Sequence, residues 1–148
     1  MCHGKSKRKP ESKSLRAPAE RAAEWVLREE YACVLTRRAL RAQYAQVDFF
    51  AADVMGKDKY GHMIWAQVTT GGTEAVRQRK RKLEAVPWQL TDRVMLLQLV
   101  SEPDPAHKLR KRYFFRVHRY CHTLSEKKWM EADRMEINRD WFKAWRGA

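Results

Sequence analysis

Residues 47–70, VDFFAADVMGKDKYGHMIWAQVTT, decide how this chain folds. Two runs rich in β-branched and aromatic side chains, about 47–54 and 62–69, flank a polar segment centred on Gly56 to Gly61. That pattern predicts a β-hairpin. With the turn near residue 58, antiparallel pairing sets Asp48 opposite about residue 68. Side chains alternate between faces, so Gln67 and Thr69 share one face and Val68 points away. Asp53 falls near the turn on the face opposite Asp48 and is the weaker candidate. A slip of one residue would separate the group.

Upstream, residues 1–17 form a basic arm in which Lys5, Lys7, Arg8, Lys9, Lys13 and Arg16 stand among Ser, Gly and Pro. Such a segment contacts phosphates but does not pack. Pro18 suits the first turn of a helix. Ala19, Ala22, Ala23, Val26 and Leu27 then recur at helical spacing. Residues 31–37 read as a strand, and 38–46 as a polar connection.

Downstream, Gly71-Gly72 ends the second hairpin strand, and a helix is expected from Thr73 to about Val86, stopped by Pro87. Residues 93–100, RVMLLQLV, suit a buried strand, and 111–120, KRYFFRVHRY, another. Thr123-Leu-Ser-Glu126 matches a capping box and predicts a last helix towards Trp145. The expectation is a single domain over 18–148, α/β in class, with a mixed central sheet flanked by helices and a C-terminal helix.

The chain carries 31 Lys and Arg against 18 Asp and Glu, a net charge of +13. That excess concentrates polyanions around the protein, and each phosphate contact releases condensed counterions. Nucleic acid, DNA first, is therefore the expected partner. Six Trp and 44% hydrophobic residues supply a core and exclude wholesale disorder. No apolar run approaches the roughly 20 residues that cross a bilayer, so no membrane partner is expected. The polar N-terminus predicts no secretory leader. Three widely spaced cysteines, Cys2, Cys33 and Cys121, suit reduced thiols in the cytoplasm.

Arg77-Gln-Arg-Lys-Arg-Lys82 sets five cations in six residues without an acid, denser than solubility requires. Arg77, Arg79, Lys80, Arg81 and Lys82 are thus candidate phosphate contacts, joined by Lys111 and Arg112 from a second basic run. Along 113–120, Tyr113, Phe115 and Val117 fall on one face and Phe114, Arg116, His118 and Tyr120 on the other. The aromatics suit core packing before base stacking. His118, Cys121 and His122 lack the second pair of ligands that a zinc finger would supply. No Gly-rich phosphate loop or nucleophile elbow is present.

The hairpin cluster has an electrostatic rationale. Mg²⁺ takes oxygen ligands, commonly one or two carboxylates with waters and substrate phosphates. Glu20 and Glu24, four residues apart on the first helix, offer a further carboxylate.

A helix with Glu, a strand, a strand with Asp, a strand with a polar pair and a second helix together resemble the PD-(D/E)xK nuclease superfamily. Within it the chain is similar to archaeal-type Holliday junction resolvases and small phage relatives, over about Ala19 to Val100. The resemblance implies a restriction-endonuclease-like fold and a Mg²⁺-dependent phosphodiesterase acting on branched or duplex DNA, often as a homodimer. It places Asp48 at the metal-binding aspartate, with Glu20 or Glu24 as helix ligand, Glu24 favoured. Gln67 stands where the family usually has Glu, and Thr69 where it has Lys. Lys80 or Lys82 is then the source of a displaced amine. Two readings stay open: an endonuclease built on Asp48, Glu24, Gln67 and Lys80, or a non-catalytic protein that keeps the fold and binds nucleic acid or inhibits a partner. A third is a basic RNA-associated assembly protein.

Overall fold

The computed structural model describes residues 15–39 and 51–143. Helix α1 (Arg16–Glu29) leads into β1 (Cys33–Arg38), β2 (Val54–Asp58) and β3 (Met63–Thr69). Helix α2 (Thr73–Glu84) follows, then β4 (Arg93–Asp104), β5 (His107–His122), β6 (Lys127–Trp129), β7 (Asp133–Glu136) and a 3₁₀ turn (Arg139–Phe142). The strands form one mixed sheet in the order β1-β2-β3-β4-β5-β6, with β7 also paired to β5. All pairings are antiparallel except β3 with β4, the pair that α2 connects as a crossover. Mixed α/β architecture, with a helix on each face of a mixed sheet, is what the hydrophobic pattern implied.

Strand alternation sorts the core into two layers. Ile64, Ala66 and Val68 of β3, Met95, Leu97 and Leu99 of β4, and Phe115 and Val117 of β5 pack against Ala19, Ala22, Ala23, Val26 and Leu27 of α1. On the other face Val94, Leu96 and Tyr120 meet Val76 and Leu83 of α2, with Trp65, Trp88 and Trp129 around them. The β5 aromatics thus enter the core. Among the described residues no helix is long and apolar enough to cross a membrane.

The hairpin is real, but its register is not the expected one. Val54 pairs with Ala66 and Lys57 with Met63, which puts the reversal at Lys59 to His62. The cause is Asp58: its Oδ1 accepts the backbone N–H of Tyr60 and of His62, both at 2.9 Å, and Gly61 takes φ +86°. Such an Asx-closed loop fixes a turn strongly. Gly56, expected in the turn, sits inside β2. A Cβ there would lie 2.6 Å from Cys33 Sγ and 3.2 Å from Leu27 Cδ1. It is a glycine of close approach between strand and helix.

The expected C-terminal helix is also replaced, as far as Lys143. Thr123 Oγ1 does accept the Glu126 N–H (3.0 Å), as the capping pattern promised. However, Thr123 N donates to the Glu126 carbonyl at 2.7 Å, closing a reversal that sends the chain back along β5 as β6. The 16-residue β5 offers a long edge of unpaired backbone groups, and β6 and β7 satisfy it. Met135, Ile137, Trp141 and Phe142 cover the α1 layer, with Trp141 stacked on Trp25 at 6.3 Å. At the other end, α1 begins at Arg16, two residues inside the expected basic arm, whose residues 1–14 lie outside the described ones.

Candidate nucleic-acid interface

Helix α2 is fixed to the sheet by Val76 and Leu83, which are buried, and the remaining turns face outward. Arg77, Arg81 and Lys82 are exposed and Arg79 is half-buried. Arg77 has an acidic neighbour, Glu74 at 3.4 Å, an exposed pair of little energetic weight. The helix therefore presents cations from a rigid element.

Lys80 differs from its neighbours. It lies on the side of α2 that carries Val76 and Leu83, with its Nζ 5.2 Å from the ring centroid of Trp129. Partial burial pulls its pKa down, opposed by Glu84. Beneath it, His118 Nε2 meets Gln98 Oε1 at 3.2 Å, and Gln98 Nε2 donates to the Gly71 carbonyl at 3.2 Å. Burial, followed by the charges of Lys80 and Arg116, pushes the His118 pKa down to about 4. The imidazole is thus neutral at pH 7.

Gln98 pairs with Thr69 across the parallel ladder, so this polar row continues into β3. There Asp53 stands beside the polar residues of β3. Continuing the β2–β3 register by one residue sets Asp53 opposite Gln67, and Asp53 N donates to the Ala66 carbonyl at 2.9 Å. Asp53 Oδ2 accepts from Gln67 Nε2 at 3.0 Å and from Val68 N at 2.8 Å. Both side chains are 2% exposed. Thr69 Oγ1 accepts the Gly71 N–H at 3.1 Å. Asp53, expected as the weaker candidate, is thus the residue that meets Gln67 and the Val68 N–H; Asp48 lies outside the described residues. The turn at 58–62 carried the signal, because moving the centre of the reversal from residue 58 to 60 shifts each partner by four and sets Asp53 opposite Gln67.

The first-helix carboxylate does not join this group. Glu24 Oε2 accepts from Thr36 Oγ1 at 2.5 Å, and Glu24 Oε1 lies 3.6 Å from Arg38 Nε. Thr36 pairs with Gly56, whose missing Cβ points at α1, whereas Gln67 faces α2. The sheet separates Glu24 from Gln67. Glu20 is buried on the same helix.

For a magnesium ion, Glu24 is therefore misplaced as a partner of Gln67. Gln67 turns its amide nitrogen to Asp53, and its Oε1 is a buried oxygen that finds no hydrogen-bond partner among the described residues. Among the described residues no three His, Cys, Asp or Glu side chains gather. The His118–Cys121–His122 run does not converge either. His122 Nε2 lies 2.7 Å from the Asp92 carbonyl, His118 is on Gln98, and alternation sends Cys121 to the other face.

Of the second basic run, Arg112 is engaged: its Nε lies 2.5 Å from Glu102 Oε1. Lys111 is exposed, and its backbone carbonyl accepts from Arg139 Nη2 at 2.9 Å. Comparisons with protein-family models, with curated proteins and with solved structures found no match to this chain.

Proposed function

We propose that this chain is a duplex-DNA-binding protein on a restriction-endonuclease-like frame, holding phosphates electrostatically and not cutting them. The observation that carries this is the outward row Arg77, Arg81 and Lys82 on a helix whose opposite face is locked by Val76 and Leu83. Cations held on a rigid element at helical spacing suit backbone phosphates without reading sequence. The order of helix, three antiparallel strands, crossover helix and parallel strand supports the nuclease-like frame. Asp53, Gln67 and Thr69 have hydrogen-bonding roles inside the fold, which supports a site turned to structure. Free Cys33 and Cys121 fit a cytoplasmic setting. Strand β1, at the edge of the sheet among the described residues and with Val34 and Leu35 exposed, offers the contact for a homodimer.

The test is fluorescence anisotropy on a labelled duplex at several salt concentrations. Binding should weaken with salt, and Arg81→Gln with Lys82→Gln should flatten the log–log slope by about 0.9 per lost contact. Salt-insensitive binding, or none, would overturn the proposal.

A second reading rests on Asp53 facing Gln67, with Thr69 two residues further along β3. In it the chain is a Mg²⁺-dependent endonuclease, with Asp53 and Gln67 in place of Asp48 and Glu24. A bound Mg²⁺ would polarise the phosphodiester and acidify a water. Cleavage of supercoiled or branched DNA with Mg²⁺ or Mn²⁺, lost in Asp53→Asn, would establish it. Retained binding with no cleavage would leave the first reading standing.

A further inference from the structure

The β4–β5 hairpin runs beyond its neighbours. Strand β3 pairs with β4 only as far as Gln98, and β7 pairs with β5 only from Phe114 onward. Past those points, among the described residues, β4 and β5 pair with each other alone, through Ser101↔Tyr113, Glu102↔Arg112 and Pro103↔Lys111. The result is a two-stranded ribbon. At its base Glu102 is held by both Arg112 and Arg134, and Arg134 lies over the Phe114 ring at 3.8 Å. The hydrogen bond from Arg134, aided by that from Arg112, holds the Glu102 carboxyl below the usual carboxylate range against its desolvation. The Arg139 contact with the Lys111 carbonyl adds a strut from the C-terminal turn. A bare two-stranded hairpin is marginal in water, and these contacts stiffen this one.

Near the tip the register breaks. Pro103 pairs with Lys111 while the next residue, Asp104, pairs with His107, so Lys108, Leu109 and Arg110 have no partners on β4. These three residues bulge out together. Bulges re-aim side chains and are features of a fold and not defects. What this one displays is an apolar side chain between two cations, with Leu109 at 101% relative exposure. A leucine left wholly in water on a braced ribbon gains nothing for the fold.

We propose that this bulge is a DNA wedge: Lys108 and Arg110 hold phosphates on either side while Leu109 enters a base step of a duplex and partly unstacks it. The inference rests on the duplex-DNA reading above. Apolar wedges in the minor groove open base steps in this way, and flanking cations offset the approach of the strands. Pyrimidine–purine steps of B-form DNA kink and unstack readily, which suits an apolar wedge entering by the minor groove. Duplex DNA is therefore the substrate class. Kinked or branched duplexes, whose steps are already loosened, should bind more tightly than straight ones.

The experiment uses the full chain and a duplex carrying 2-aminopurine, whose fluorescence rises on unstacking. Wild type should raise the signal on binding. Leu109→Ala should abolish the rise, and Leu124→Ala, an exposed leucine away from the ribbon, should keep it. Lys108→Gln with Arg110→Gln should flatten the salt slope by about 1.8. Because Leu109 makes no core contact, circular dichroism should show every variant folded. Salt-sensitive binding without any rise, or a rise that survives Leu109→Ala, overturns the wedge but leaves the DNA-binding reading intact. Absence of DNA binding overturns both. Leu109-dependent binding to anionic phosphatidylserine vesicles in place of DNA also overturns the wedge, in favour of a membrane surface.

Discussion

Gln67 donates its side-chain amide to Asp53 at 3.0 Å, on the same carboxylate oxygen that accepts the Val68 N–H at 2.8 Å. One acid thus ties the entry to β2 onto two consecutive residues of β3. Buried carboxylates are tolerated when charge-assisted bonds replace hydration. Asn in its place keeps the shape and loses the charge. Asp53→Asn should therefore cost about 1.5–3 kcal/mol in urea unfolding, with the slope against urea unchanged. A variant more stable than wild type would mean that the carboxylate is kept at the expense of the fold, as a functional group is. That result would move weight to the endonuclease reading.

Replacing the amide by an acid probes the same pair from the other side. Gln67→Glu sets two carboxyls at hydrogen-bonding distance, where both cannot ionise without repulsion. At pH 7 the variant should lose stability, about 2 kcal/mol or more, and recover it on acidification as one carboxyl takes a proton. If the pair fits a hard cation, millimolar Mg²⁺ should also raise its melting temperature, by mass action on the folded state. A melting temperature indifferent to both pH and Mg²⁺ would remove Asp53 and Gln67 as a cation site.

His118 supplies a pH dependence of known sign. Its pKa is pushed down to about 4 from an ordinary 6.5 by burial, then by Lys80 and Arg116, with Gln98 as its hydrogen-bond partner. Between those values the unfolded chain binds the proton and the folded chain does not. Stability is then fully present above pH 6.5 and is lost as pH falls towards 4. The loss should be on the order of 1–3 kcal/mol. His118→Gln should lack that component when its unfolding free energy is compared with wild type from pH 7.5 to 4.5. Lys80→Met should raise the imidazole pKa, read by NMR titration, because one of the two cations facing it is gone.

Periodicity in the sequence was sufficient for α1, α2, the succession of β1 to β5 along the chain and the division of β5 between two core layers, because alternation and helical spacing are set by burial. It was insufficient wherever a single polar contact decided between two local structures. Asp58 closing on Tyr60 and His62 moved the hairpin reversal and thereby brought Asp53 opposite Gln67. Thr123 and Glu126 made the side-chain bond of a helix cap, yet the open edge of β5 drew the following residues into a strand. The basic character of α2 was plain in the sequence. The inward turn of Lys80 and the pairing of Arg112 with Glu102 were not, since both depend on strands distant in the chain. No local signal marks the bulge at Lys108 to Arg110.

Gly56 is the sharpest case, since its dihedral freedom suggested a turn and its missing side chain is what the structure uses. A Cβ there would meet Cys33 Sγ at 2.6 Å, with Cys33 Cβ and Leu27 Cδ1 at 3.2 Å, so α1 and β1 must give way. Gly56→Ala should destabilise by about 1–3 kcal/mol, outweighing the smaller gain from a stiffer unfolded chain. The clash predicts a specific rescue. In a Cys33→Ala background, where the sulfur is absent, the same substitution should cost at least about 0.5 kcal/mol less. Equal costs in both backgrounds would show that the Cys33 sulfur is not what requires glycine here, and that the strand itself disfavours the larger residue.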